Sequence, residues 1–162
     1  MRSRTAIWFE TKVRYEKTIE DGSQKKVTEQ YTVDALSFTE AEQRIMEEMS
    51  SYISGEFEVS DIKKASYKEV FFSEAQSDDR WYKAKLQFIT IDEKTEKEKR
   101  TNNYFLVQAG TLMGAVKHIE EMMGKTMIDY VIAQVGETQI MDVFEHQVAA
   151  TQEKDDKPEY EE

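Results

Sequence analysis

The chain holds two histidines, and the chemistry open to each is set by its neighbours. His118 precedes Glu121 by three positions, so on a helix the imidazole and the carboxylate share a face and can grip a metal ion together. Two ligands fall short of a site, and Arg44 occupies the matching place in the first half. His146 closes an apolar segment that runs into acidic sequence. Both histidines read as surface or boundary residues. In "AGTLMGAVKH", Gly110 and Gly114 flank a helix start whose amides can receive an anion. The run lacks the spacing and the Lys-Ser/Thr ending of a phosphate loop, and it is not a dinucleotide fingerprint. Gly114 is expected instead to let the helix pack close to a sheet. Neither a Gly-x-Ser-x-Gly elbow nor a His-Glu-x-x-His helix occurs. The lack of cysteine excludes thiol catalysis, thiolate-held zinc and disulfides. Glu40, Glu42, Glu47, Glu48, Glu120 and Glu121 fall opposite apolar stripes and read as solvated helix surface. No catalytic residue, metal ligand or cofactor is expected, which disfavours catalysis.

The strand-like segments say more. "WFETKVRYE", opening at Trp8, and "WYKAKLQFI", opening at Trp81, alternate apolar and polar with period two. If Phe9, Thr11, Val13 and Tyr15 face a helix, alternation sends Trp8, Glu10, Lys12 and Arg14 to the other side. In the second segment that set is Trp81, Lys83, Lys85 and Gln87. The candidate binding residues are therefore Trp8, Lys12, Arg14, Trp81, Lys83 and Lys85. Indole rings beside cations can stack the bases and meet the phosphates of a single strand. They can equally anchor a contact between the two halves, or a homodimer. The plainest reading leaves the tryptophans partly buried at sheet edges, with the lysines keeping the outer face wet.

These segments belong to a repeat. Shifted by 73 positions, Trp8 falls on Trp81, Lys12 on Lys85, Thr28 on Thr101 and Tyr31 on Tyr104. After one inserted residue, Ala41 falls on Ala115 and Ile45 on Ile119. Each half reads as two strands, a helix and two more strands. The first has strands from Trp8 and near Val27–Val33, then a helix with Ala41, Ile45, Met49 and Tyr52 on one face behind a capping box of Thr39 and Glu42. Strands near Phe57–Lys63 and Tyr67–Phe72 close it. The second repeats this with a strand from Trp81, a strand near Thr101–Val107 and a helix stripe of Leu112, Ala115, Ile119 and Met122, capped at Gly124. Its closing strands lie near Met127–Val135 and Gln139–His146, with Gly136 marking the turn between them. The expected fold is α+β: an internal duplication of a ββαββ unit, with mostly antiparallel sheets each covered by one helix and related by a pseudo-twofold axis. The units span 1–73 and 81–148, a linker spans 74–80, and 149–162 is an acidic, disordered tail.

A net charge of −11 argues against duplex binding unless a local patch reverses the sign. "TQEKDDKPEYEE" supplies six acids and two lysines, or −4, leaving −7 for the rest. No apolar run reaches the roughly 20 residues of a membrane span, and the first residues lack the apolar core of a signal peptide. A cytoplasmic protein without a membrane partner is expected.

The segment from Trp8 through "VDALSFTEAEQRI" resembles a family of proteins of unknown function from Bacteroides-type bacteria and their phages. Its most specific parts are the aromatic-led strand, the Lys-Val-Thr-Glu strand and Val33 to Glu42. The resemblance implies a cytoplasmic accessory protein of a phage or mobile element, and it carries no site residues with it. The expected role is binding: a protein partner or a homo-oligomer, working through the pseudo-symmetric sheet faces. One alternative is an accessory protein for single-stranded nucleic acid. Another is an acidic inhibitor that sequesters a basic surface.

Overall fold

The computed structural model describes residues 1–146; the expected acidic tail and the last residues of the second unit lie outside the described residues. A short strand β1 (Arg2–Thr5) comes first, and its RSRT sequence has none of the alternation that makes a strand legible. The alternating segment forms β2 (Trp8–Thr18), which turns through Gly22 into antiparallel β3 (Gln24–Asp34). Gly22 takes φ 87 at no steric cost, and the Asp21 carboxylate accepts the Ser23 N–H at 2.8 Å.

Helix α1 (Phe38–Ser50) buries Ala41, Ile45 and Met49 at four-residue spacing. Its cap is Ser37, whose backbone is extended and whose hydroxyl accepts the Glu40 N–H, while the Glu40 carboxylate accepts the Leu36 N–H. The expected box of Thr39 and Glu42 is thus displaced two residues, because Thr39 is already helical. Tyr52 lies past the helix end and is 70% exposed, so it leaves the stripe. β4 (Phe57–Lys64) and β5 (Glu69–Phe72) follow.

The second half repeats this order with β6 (Arg80–Ile91), β7 (Glu98–Ala109), α2 (Leu112–Met123), β8 (Tyr130–Glu137) and β9 (Ile140–Phe144). Thr111 caps α2 by accepting the Gly114 N–H at 3.0 Å, so that amide is already spoken for. The buried stripe is Ala115, Ile119 and Met123; Leu112 is exposed and Met122 half-buried, which corrects the expected stripe at both ends. Gly124 does cap the helix, but in the right-handed region. Gly136 lies inside β8, not in the turn, which falls at Thr138 and Gln139.

Two sheets result, ordered β4-β2-β3-β9 and β1-β5-β7-β6-β8. The last strand of each half crosses over: β5 runs parallel to β7, and β9 runs parallel to β3. β1 then pairs antiparallel with β5. The registers of β2 against β4 and of β6 against β8 both shift, at Lys12/Val13 and at Lys85/Leu86, positions 73 apart. The fold is α+β, with two mostly antiparallel sheets each packed against one helix. α1 buries Phe9, Val13, Tyr31 and Val33 of the first sheet, and α2 buries Tyr82, Leu86, Phe105 and Val107 of the second.

A third cluster unites the helix-free faces of both sheets. Trp8, Ile140 and Val143 come from the first, Val70, Phe72, Trp81 and Leu106 from the second, and Tyr67 from the connection between β4 and β5. The rings are joined in series, Trp8 to Phe72 at 6.4 Å and Phe72 to Trp81 edge-on at 5.7 Å. Trp8→Ala and Trp81→Ala should each lower the unfolding free energy by about 3–5 kcal/mol, the cost of truncating a fully buried aromatic ring. Lys12→Ala should change it by less than about 0.5 kcal/mol. Urea denaturation of the three variants checks this; tryptophan variants that matched Lys12→Ala would mean the third cluster is not a core.

Candidate functional site

Alternation along β2 and β6 places the candidate residues on the helix-free sides, where the opposite sheet decides their fate. Trp8 and Trp81, 1% and 2% exposed, are covered by it and present no ring to solvent. Base stacking on these two tryptophans is therefore not available to a ligand. What they do is hold the halves together. Trp8 also donates its indole N–H to the Lys68 carbonyl at 3.0 Å.

One step further along β2, Glu10 is buried and is the meeting point of the two sheets. It accepts the Tyr67 hydroxyl at 3.0 Å and faces Lys63 and Lys83, each at 3.6 Å. Lys83 comes from the second sheet, so this ion pair crosses between the halves. Tyr67 also lies 2.9 Å from the Thr32 hydroxyl, and its ring receives Lys83 at 5.6 Å. Burial first, and then the Glu10 charge, push the Tyr67 phenol well above its ordinary range.

Beyond Lys83 a cleft of about 520 Å³ lies over β6, β7 and β8 of the second sheet. Lys85 lies across from Tyr104 on one side and Gln134 on the other, and Lys83 from Leu106 and Gly136. Gly136 leaves open space where a side chain would stand. Lys83, Lys85, Tyr104, Gln134, Glu137 and Thr138 therefore line a concave surface with two cations and one carboxylate. Lys12 and Arg14, the counterparts on β2, are exposed, and Arg14 pairs with Glu58 at 3.5 Å. The structure thus brings Lys83 and Lys85 together and leaves Lys12 and Arg14 on the other sheet.

His118 is half-buried against the Gln108 carbonyl at 3.0 Å and 3.6 Å from the Asp78 carboxylate, while Glu121 is exposed. The histidine therefore tethers α2 to the linker. Gly110 is needed there because a Cβ would stand 2.5 Å from the Ser77 carbonyl oxygen. Among the described residues there is no group of three or more His, Cys, Asp or Glu that could hold a metal ion. Sequence reasoning missed Tyr67 and Tyr104 as site residues. Tyr104 had a signal, since it matches Tyr31 in the repeat; Tyr67 had only its apolar neighbourhood.

On the α1 side, Tyr15 and Tyr31 both donate to one Glu29 oxygen at 2.9 Å. Burial, followed by this hydrogen bond, pushes the Tyr15 phenol up to about 12, and Tyr31 rises for the same reasons.

The fold and the cleft define a two-sheet α+β domain with two strands exchanged between its halves. The chain belongs to the family described as Domain of unknown function (DUF4494), which matches residues 7–146. No curated protein and no solved structure matches it. No helix among the described residues is long and apolar enough to cross a membrane.

A phenol held neutral by the fold supports stability below its unfolded pKa, near 10, and that support fades as pH rises through its folded value. Stability should therefore fall from about pH 10 to about 12 as Tyr15 ionises, and further as Tyr31 and Tyr67 follow. Denaturation midpoints measured across this range should decline less steeply in Tyr15→Phe. Tyr67→Phe should cost about 1–3 kcal/mol at neutral pH by leaving Glu10 without its buried donor. A flat alkaline profile in the unaltered protein would contradict the tyrosine burial.

Proposed function

We propose that this protein acts by binding rather than catalysis, as a cytoplasmic accessory protein of Bacteroides-type bacteria or their phages, and that its two halves descend from one duplicated unit. The matching strand order, the reciprocal strand exchange and the register shifts 73 positions apart support the duplication. The observation that carries the binding role is the open cleft with Lys83 and Lys85 beside Tyr104, Gln134 and Glu137, two cations to one lining acid on a chain of net charge −11. Such a surface suits an acidic segment of a protein partner, a second copy of this acidic chain included. The nucleic-acid alternative is weaker, because both tryptophans are inside and Lys12, Arg14, Lys83 and Lys85 are left without an indole to stack a base.

Sedimentation at low and high salt tests this, together with cross-linking in the native host and recovery of the bound partner. An assembly or partner should be found that weakens as salt rises. Lys85→Glu should abolish it, and Gly136→Leu should weaken it by filling the cleft. A monomer that cross-links to nothing, or a contact indifferent to both changes, would end the reading. Single-stranded DNA bound at low salt and lost in Lys85→Glu would favour the nucleic-acid alternative instead.

A further inference from the structure

We propose that a second cleft, walled by β1, the first residues of β2, the end of β3 and α1, binds a small amphiphilic anion: a carboxylate or phosphate head on an apolar body. The cleft has a volume of about 750 Å³ and is distinct from the Lys83/Lys85 cleft, with no lining residue in common. Its floor holds an unusual pair of arginines. The Arg44 side chain is only 9% exposed and donates from Nη2 to Asp34 Oδ1 at 3.1 Å. Arg4 donates from Nη2 to the other Asp34 oxygen. Each arginine has spent one nitrogen on the same carboxylate, and each keeps a buried donor with no hydrogen-bond partner among the described residues: Nε of Arg44 and Nη1 of Arg4. Arg4 Nη1 also faces a Glu145 oxygen at 3.7 Å, too far for a hydrogen bond.

A buried guanidinium donor without an acceptor is costly, and an anionic head supplies the acceptor in the charge-assisted form that suits arginine. The carboxylates already present hydrogen-bond neither of these donors, and Glu145 is engaged by Arg2. Asp34 Oδ1 also accepts the His146 N–H at 2.8 Å, so both Asp34 oxygens are committed, and Glu40 is engaged by the Leu36 N–H. Arg4, Arg44, Lys64 and Lys68 line the cleft against Asp34 and Glu40, with Glu145 ion-paired to Arg4 beside it, four cations to three acids. The apolar part of the wall is formed by Ala6, Ile7, Trp8, Ala35, Leu36 and Ala65, beside Thr5, Tyr67 and His146. Leu36 is 83% exposed and Ile7 40%, surface that the body of an amphiphile would cover. At the matching corner of the second half, Gln108 stands for Asp34 and His118 for Arg44, and the Ser73 N–H bonds Gln108 as the His146 N–H bonds Asp34. The backbone arrangement is shared, but the arginine pair belongs to one end alone.

Calorimetric titration of the full chain with octanoate, octyl phosphate and octan-1-ol, with amide NMR shifts to locate binding, tests the site. At least one anion should saturate a single site and move the Leu36 and His146 amides, and octan-1-ol should bind at least about tenfold more weakly. The tighter of the two anions assigns the head group. Arg44→Gln should weaken the anion at least about tenfold. If that variant does not fold, Leu36→Asp, an exposed change that puts a carboxylate on the rim, should weaken it too. No saturable binding by either anion would overturn the proposal. So would equal affinity for octan-1-ol, shifts confined to other surfaces, or indifference to Leu36→Asp.

Discussion

Trp8 and Trp81 are buried back to back through Phe72, and this contact between helix-free sheet faces sets conditions that the other elements must meet. A sheet with a helix on one face normally leaves its other face to water. Here Trp8 on β2, Trp81 on β6, Leu106 on β7 and Val143 on β9 put apolar area on that second face too. At roughly 25 cal/mol per Å² of apolar surface removed from water, rings of this size favour closure strongly. Closing the faces also traps polar groups where β2 and β6 run on into charged residues. Glu10 is buried as a result, and the Tyr67 hydroxyl with Lys63 and Lys83 keeps it solvated by protein.

The exchange of β5 and β9 follows from the same closure. Each half ends in a strand that completes the opposite sheet, so each sheet borrows backbone hydrogen bonds from the other half. Neither half can close its own sheet edge without the other. The ends of the exchanged strands then meet the ends of β3 and β7, where the Asp34 and Gln108 side chains accept the N–H of His146 and Ser73, just past those strands. Arg44 and His118 stand beside these acceptors at equivalent helix positions. The corners are a consequence of the exchange: a strand brought in from elsewhere needs its last amide satisfied, and the side chain at the end of the central strand supplies the acceptor.

How much of this is legible in the sequence depends on whether the signal is local. The hairpins and helices are legible because period two and period 3.6 are written along contiguous residues, as from Trp8 to Tyr15 and from Ala41 to Met49. Alternation correctly assigns Phe9 and Val13 to the helix side and Trp8 to the other. It does not say what covers the other side, so the tryptophans are as compatible with solvent as with burial until the two sheets are seen together. β1 escapes notice because its four residues carry no apolar pattern, and its pairing with β5 spans almost half the chain. The Arg4, Asp34, Arg44 and His146 cluster escapes for the same reason, since its members are far apart in sequence and no spacing links them. Gly136 misleads because glycine is a turn signal, whereas here it leaves room on a strand beside Lys83.

The two ends of the molecule show how one backbone arrangement supports different chemistry. At both, a helix side chain, a residue closing a central strand and the amide after an exchanged strand converge. In the second half the members are His118, Gln108 and Ser73, joined by Asp78 from the linker, and the histidine's Nδ1 meets a backbone carbonyl. In the first half β1 brings Arg4 into the corner, and the Asp34 carboxylate accepts from two guanidinium groups and a backbone amide, with Glu145 in a longer ion pair to Arg4. Asp34 has two oxygens, and three donors use them. The guanidinium nitrogens left over follow from adding a second arginine while the next acid, Glu145, is bound by Arg2 and stands too far from Arg4 to accept a hydrogen bond. A structural role alone would be met by one arginine and one aspartate; the surplus positive donors make this end, rather than its counterpart, the place where an external anion has something to satisfy.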